Sequence, residues 1–299
     1  MIDLRKNRLT KCLIIGCSLL SLSAVAQTSV WQVSKGDDSI YIGGTLHILP
    51  KEQIPLPKEF EYAYNHADTV LLEAPMPDPS DTQAQMNILT TLSYKDGELL
   101  ANKLTPEIEQ KLETKLAEFG ANINELNHFR PFMVSVILMS MELQKQHLIG
   151  EGVDAHFVKR ANTDGKTLSY LETLDYQLQL FKQMGENSES QFIENNLAQL
   201  SNYAELFTSM TAAWRSGNTK QLNELVVKPL QKNDPDTFNK LLKQRNYNWL
   251  PKIEALFGNQ QKELVLVGAG HLVGEYNLLT LLNEQGYSVT QISQQDEVL

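Results

Sequence analysis

Hydrophobic and polar positions follow three regimes along the 299-residue chain. Near the start, Val30–Val33 and Ile40–Gly43 are short β-branched and aromatic runs on either side of the turn cluster Gly36-Asp37-Asp38, and they predict a hairpin. Pro55 and Pro57 lead into a helical spacing over Lys58–Asn65, and Thr69–Leu72 is an apolar run long enough for one buried strand. The middle is helical. After a Pro- and Asp-rich loop over Pro75–Asp81, a helical hairpin is expected. Its second helix opens with Thr105 as N-cap and Pro106 at the first position, and stops near Gly120. Pro131 opens the most apolar stretch, Phe132–Leu143, a core helix too short to cross a bilayer. Asp154 is placed to cap a helix running to Ala161, and Thr167–Leu171 reads as a strand. Ser188–Trp214 and Pro235–Phe257 carry helical spacing, the latter interrupted or ended near Pro251. The last regime is strand Glu263–Val267, a Gly-rich turn, helix Tyr276–Gln285 and strand Ser288–Ile292. The pattern predicts an α+β fold: a mixed sheet formed by the N- and C-terminal segments, with a large helical insertion over about residues 82–257.

Composition changes this picture at one end only. Hydrophobic residues make up 42% and charged residues 21%, which excludes a disordered or collagenous chain. The first 26 residues stand apart. Arg5, Lys6, Arg8 and Lys11 precede the short apolar stretch Cys12–Leu22, and Ala24-Val25-Ala26 has the small-x-small spacing that signal peptidase requires. A signal peptide, residues 1–26, cleaved after Ala26 is expected; residues 27–299 are then a periplasmic or secreted domain. An uncleaved anchor, or a lipid on Cys17 within Ile14-Ile15-Gly16-Cys17, are the alternatives. Both cysteines fall in this segment, so a metal in the mature chain must be held by histidine and carboxylate. Without the segment's four bases and one acid, 22 bases face 35 acids, a net charge of about −13. An acidic chain without a basic cluster is a poor partner for nucleic acid or an anionic membrane surface. No stable membrane span is expected after signal cleavage.

The candidate chemistry lies at strand ends. Ile40–His47 and Leu264–His271 share one design: an apolar strand, glycine, then histidine three positions after a glycine (Gly44 to His47, Gly268 to His271). Glycine lets the backbone turn sharply, and the histidine is presented at a sheet edge, where open α/β sheets bind ligands. A neutral imidazole there is a metal ligand or an acid–base group. Thr69–Leu72 runs into Glu73, and Leu168–Leu171 into Glu172. Two histidines and a carboxylate at neighbouring strand ends would form a three-ligand site with room for water, and a second carboxylate could take that water's proton. The competing readings are structural: a lone Gly-x-x-His is common, and Glu73 and Glu172 could each pair with a helix N-terminus. His66, His128, His147 and His156 lack paired spacing and read as surface or satisfied structural residues. A serine nucleophile elbow, a P-loop and a dinucleotide fingerprint are all missing from the sequence.

With these residues the chain resembles the TraB/GumN family, which includes the Tiki membrane-associated proteases. The likeness runs from about Trp31 to the C-terminus. It rests on Trp31-Gln32-Val33, Gly43–Pro50, the Glu73 strand, Gly152-Val153-Asp154, Leu171-Glu172-Thr173 followed by Gln177, Arg245-Asn246 before Trp249, and Val267–Gly274. The resemblance implies a metal site served by His47, Glu73 and His271, holding a divalent ion such as Mn, Co or Zn. It implies a metal-dependent hydrolase, peptidase-like, acting on a peptide or small-molecule substrate. The residues after Gly274 are not long or apolar enough to be expected to form the C-terminal membrane anchor of Tiki proteins.

Arg245, if it faces the site, is suited to clamp a substrate carboxylate or a developing oxyanion, with Asn246 as a second donor; surface pairing is the other reading. Glu172 is the candidate base. Asp154 has two readings, a helix cap or a hydrogen-bond partner to a histidine. The alternative to a hydrolase is a non-catalytic cell-envelope binding or accessory protein, for which the helical insertion offers a partner surface.

Overall fold

The structure is a computed structural model that describes residues 27–259 and 261–293. The expected signal peptide, its cleavage site and Cys17 lie outside the described residues. A six-stranded mixed sheet in the order β4-β3-β5-β2-β1-β6 organises the chain. Its strands are β1 (Gln27–Lys35), β2 (Asp38–Thr45), β3 (Thr69–Leu72), β4 (Thr167–Tyr170), β5 (Glu263–Gly268) and β6 (Ser288–Ser293). β1 pairs antiparallel with β2 and β6, closing the N-terminal hairpin and tying the two chain ends together. β4, β3, β5 and β2 are mutually parallel, so their carboxyl ends share one edge. The fold is α+β, as the hydrophobic pattern predicts.

The sheet is covered on both faces. On central β5, Leu264 and Leu266 join a cluster with Phe60, Tyr64, Phe157 and Trp214, while Val265 and Val267 join Trp249, Ile253, Leu278 and Leu282 on the other side. Burial on both faces explains why the strand reads as a continuous apolar run and not as an alternation. The helical insertion has a third core of its own, in which Leu112, Leu116, Val134, Leu138 and Ile193 are fully or nearly buried.

Several helices differ from their expected bounds. The stretch Ser188–Trp214 divides at Ser201-Asn202 into Glu189–Leu200 and Tyr203–Arg215. The break lets the first helix bury Ile193 and Leu200 in the insertion's core while the second buries Trp214 against the sheet. The stretch from Pro235 is interrupted upstream of Pro251, by a π-helical turn over Asn239–Lys243, and the following helix Gln244–Glu254 runs through Pro251. Proline there deprives only the carbonyl of Tyr247, an exposed residue that water can serve. A second π turn spans Asn223–Val227.

The expected cap on the helix Val153–Asp164 is a correction. Gly152 holds the N-cap position with no side-chain cap, and Asp154 lies inside the first turn, 4% exposed, with its carboxylate turned away from the helix end. The cause is docking. Val153 donates its N–H to Leu46 O, and Ile48 bridges Glu151, so this helix end sits on the segment that follows β2. The approach is so close that a Cβ at Gly152 would lie 2.2 Å from the backbone oxygen of His47.

Candidate active site

Four parallel strands deliver the predicted residues to one edge. Glu73 directly follows β3. Glu172 follows β4 by two residues, and the backbone pairing continues past the strand, Leu171 N–H to Leu72 O and Glu172 N–H to Glu73 O, so the two glutamates stand side by side. His271 lies on the short turn Ala269–Leu272 after β5, and His47 two residues beyond β2. The three groups suggested as ligands converge: a Cβ built on Gly268 would stand 3.4 Å from Glu73 Oε1, 3.7 Å from His271 Cδ2 and 3.8 Å from His47 Nε2.

Each ring is held by a partner at Nδ1. His47 donates Nδ1–H to Asp154 Oδ2 at 2.9 Å, and Asp154 Oδ1 accepts from Thr45 Oγ1 at 2.9 Å. His271 donates Nδ1–H to Asn246 Oδ1 at 2.6 Å. That direction follows from the amide, since Asn246 Nδ2 is occupied in donating to Tyr276 O at 2.7 Å. Asn246 therefore orients His271 and has no donor directed at a ligand. Both rings turn Nε2 towards the interior of the cluster, the arrangement that fixed Nδ1 partners produce.

Arg245 occupies the centre, 4% exposed. Its Nε donates to Glu172 Oε1 and Oε2 at 3.1 and 3.2 Å. Nη2 donates to Glu172 Oε2 at 2.9 Å and Glu73 Oε2 at 2.7 Å. Nη1 donates to Leu241 O at 3.2 Å and to His271 Nε2 at 3.3 Å. All five guanidinium N–H groups are engaged, so the residue does not stand free as a substrate clamp. Its position comes from the helix Gln244–Glu254, two residues beyond the π segment whose Leu241 carbonyl it meets, and its guanidinium lies 4.5 Å over the Trp249 ring. Trp249 also donates Nε1–H to Glu172 Oε1 at 2.9 Å and packs on His271 with ring centroids 4.4 Å apart. Glu172 is thus saturated by Arg245 and Trp249. It is absent from the cavity lining, while Arg245, Glu73, His47 and His271 all reach it.

Electrostatics separates the two histidines. The charge of Asp154, together with its hydrogen bond and the charge of Glu73, raises His47 to about 9. Burial lowers His271 to about 3, with the charges of Arg245 and His47 acting in the same direction against Glu73. Burial alone would raise Glu73, but Arg245, His271, His47 and the Gly268 amide (2.7 Å) together hold it at about 2. The cluster therefore pairs a protonated His47 and a neutral His271 with an ionised Glu73 at neutral pH.

The donor set can be compared with the divalent ion implied by the resemblance. His47 Nε2 faces the cavity without a protein partner, so its lone pair opens once the ring is neutral, and two thirds of the His47 side chain is accessible. Glu73 Oε1 accepts Gly268 N–H and retains one lone pair. The single lone pair of His271 Nε2 accepts Arg245 Nη1–H. Two open donors remain where three are required, and among the described residues no group of three or more His, Cys, Asp or Glu is arranged to hold a metal ion. As arranged, the residues do not fit a three-ligand ion, because a guanidinium already serves as the cation between the carboxylates.

A residue quoted for the resemblance but given no role there completes the site. Gln177, on the helix Leu174–Lys182, donates Nε2–H to Glu73 Oε2 at 3.3 Å and lines the cavity with its second N–H to spare. The cavity itself, about 570 Å³, opens from the sheet edge into the helical insertion. None of His66, His128, His147 and His156 lines it. The profile of the TraB/PrgY/gumN family matches residues 29–291. No match was found among curated proteins or among solved structures.

Proposed function

Since the chain belongs to the TraB/PrgY/gumN family, we propose, on the side chains gathered at its sheet edge, that it is an exported hydrolase adding water to an ester or amide carbonyl. The observation that carries this reading is the His47–Asp154 pair opening onto a cavity beside an otherwise saturated polar cluster. Asp154 fixes the ring so that Nε2 addresses the cavity. In its neutral form His47 takes a proton from water as the water oxygen bonds to the carbonyl carbon, and returns that proton to the alcohol or amine as the carbon–oxygen or carbon–nitrogen bond breaks. The spare N–H of Gln177 is the donor placed to receive the carbonyl oxygen. Arg245 acts as a positioning residue, holding Glu73, Glu172 and His271 and lending positive charge to one side of the cavity. The role of base suggested for Glu172 passes to His47, since both Glu172 oxygens are engaged behind Arg245.

Chromogenic esters and anilides test the proposal. Turnover by the purified mature protein, reduced at least a hundredfold in His47→Ala, is expected, that being the usual scale of acid–base catalysis. Absence of turnover across ester and anilide panels would leave the binding or accessory role, and turnover unaffected in His47→Ala would remove His47 as the acid–base group. No step here uses a metal ion. The metal-dependent hydrolase is the second reading, favoured by the convergence of His47, Glu73 and His271 on Gly268. One equivalent of tightly held Mn, Co or Zn, with activity lost on chelation and restored by that ion, would replace the mechanism above.

A further inference from the structure

Away from the sheet edge, the cavity is walled by the helical insertion. Phe132 and Met139 come from the helix Pro131–Lys145, Phe181 from Leu174–Lys182, Phe207 and Met210 from Tyr203–Arg215, and Leu242 from the π turn. Tyr203, Phe207 and Met210 follow helical spacing, so one face of their helix is given to this wall. Apart from the Tyr203 phenol, every ionisable group on the lining belongs to the cluster at the sheet edge. The Tyr203 hydroxyl donates to the Met139 sulfur at 2.8 Å, a weak acceptor.

A cavity of about 570 Å³ takes a ligand of drug size. What part of such a ligand can lie along this wall is decided by polar satisfaction. A peptide brings one amide N–H and one carbonyl per residue, and each costs free energy when buried without a partner. Of the described side chains along the wall, Tyr203 and, at its inner end, Gln177 are the ones with a polar group to offer a peptide. A hydrocarbon chain makes no such demand and gains with every methylene buried. Met139 and Met210, unbranched and polarisable, adapt to chains of different length. We infer that the substrate is an ester or amide of a linear aliphatic acid, its acyl chain lying along this wall and its carbonyl at His47. The inference rests on the hydrolase reading for the bond broken, but not for the chain site.

The test has two arms. In the first, kcat/KM is measured for p-nitrophenyl esters from acetate to dodecanoate and for hydrophobic peptide anilides. In the second, binding of dodecanoic acid is measured by calorimetry, without turnover. The expected results are a rise of roughly threefold to fourfold per added methylene until the wall is filled, and saturable binding of the acid. Met210→Trp, which fills the wall, is expected to lower the dodecanoate-to-acetate ratio at least tenfold. Leu242→Phe provides the same test should Met210→Trp fail to fold by circular dichroism. Turnover with no chain-length dependence, or with peptide anilides preferred, overturns the acyl inference and leaves the hydrolase. Binding of the acid, weakened by either variant, with no ester or anilide cleaved supports the chain site and removes the hydrolase. Neither binding nor turnover removes both.

Discussion

Replacing Arg245 by methionine keeps most of the side chain's volume and removes its charge. The consequence follows from what the guanidinium touches. The Glu73 and Glu172 side chains are 8% and 5% exposed, and Arg245 is the basic side chain bonded to both. Without it two adjacent carboxylates lie buried with no cation bonded to either, and breaking a buried pair in this way costs about 3–5 kcal/mol. Part of that cost is escapable. The stranded carboxyls would have folded pKa values raised above the unfolded carboxylate value, so a proton taken up at low pH restores stability that is lost again as pH rises. Urea unfolding followed by the fluorescence of the buried Trp214 and Trp249 measures this. Wild type at the same pH removes contributions common to both proteins. We expect a deficit of about 3–5 kcal/mol at pH 7, a clearly smaller one at pH 5, and partial recovery, by about 1 kcal/mol or more, in Glu172→Gln/Arg245→Met. Arg245→Lys should recover little, since an ammonium cannot fork between two carboxylates. A deficit below about 1 kcal/mol at pH 7, or one equal at both pH values, would refute the claim that this guanidinium is the cation of the cluster.

Three further outcomes follow. Gly268→Ala places a methyl in ordinary contact with Glu73 and both histidines, so stability should change by no more than about 0.5 kcal/mol while ester hydrolysis falls at least a hundredfold; a stable, active variant would mean that the reacting group lies elsewhere. With His47 held at about 9 and acting as base, kcat/KM should rise tenfold per pH unit and level near pH 9, and Asp154→Asn should move the inflection to lower pH; a profile that falls above pH 9 would assign His47 the role of acid. His271 at about 3 and Glu73 at about 2 both bind protons less readily folded than unfolded, so the urea midpoint should fall as pH drops from 6.5 towards 3, with Glu73 contributing below 4.5; a midpoint flat across this window would contradict the buried neutral ring.

The edge cluster is legible because His47, Glu73, Glu172 and His271 each lie within three residues of the end of a short apolar strand, and parallel pairing then aligns the ends. Gly44-x-x-His47 and Gly268-x-x-His271 could be paired from sequence for that reason. Asp154 was harder. Local rules favour an acid near a helix start as a cap, but the helix end docks on Leu46–Ile48, which gives the cap position to Gly152 and turns the carboxylate to His47. Such a contact spans 107 residues and leaves no local signature. Arg245 stands out in the sequence as a candidate, but its saturation by Glu73, Glu172, His271 and Leu241 does not, because a count of donors needs all partners in place. The cavity wall was the least visible part. Phe132, Phe207 and Met210 sit at helical spacing that fits a packed core equally well, and only the space beside them shows that they line a site.

The charge of the cluster bears on which carbonyl compounds it would accept. Glu73, Glu172 and Asp154 oppose Arg245 and a protonated His47, so the site carries a net charge near −1 at neutral pH, and near −2 once His47 gives up its proton. Arg245 cannot offset this for an incoming anion, since its N–H groups are already engaged. A phosphate ester or a substrate carboxylate would therefore meet repulsion in a low-dielectric pocket, where it is least screened. A neutral ester or amide meets none. Hydrolysis would create a carboxylate at the same point, so the acid product would be held by its chain alone and less tightly than the neutral substrate. A cation built into the protein between two glutamates thus suits neutral carbonyl substrates, and the apolar wall beyond it favours the part of the substrate that carries no charge.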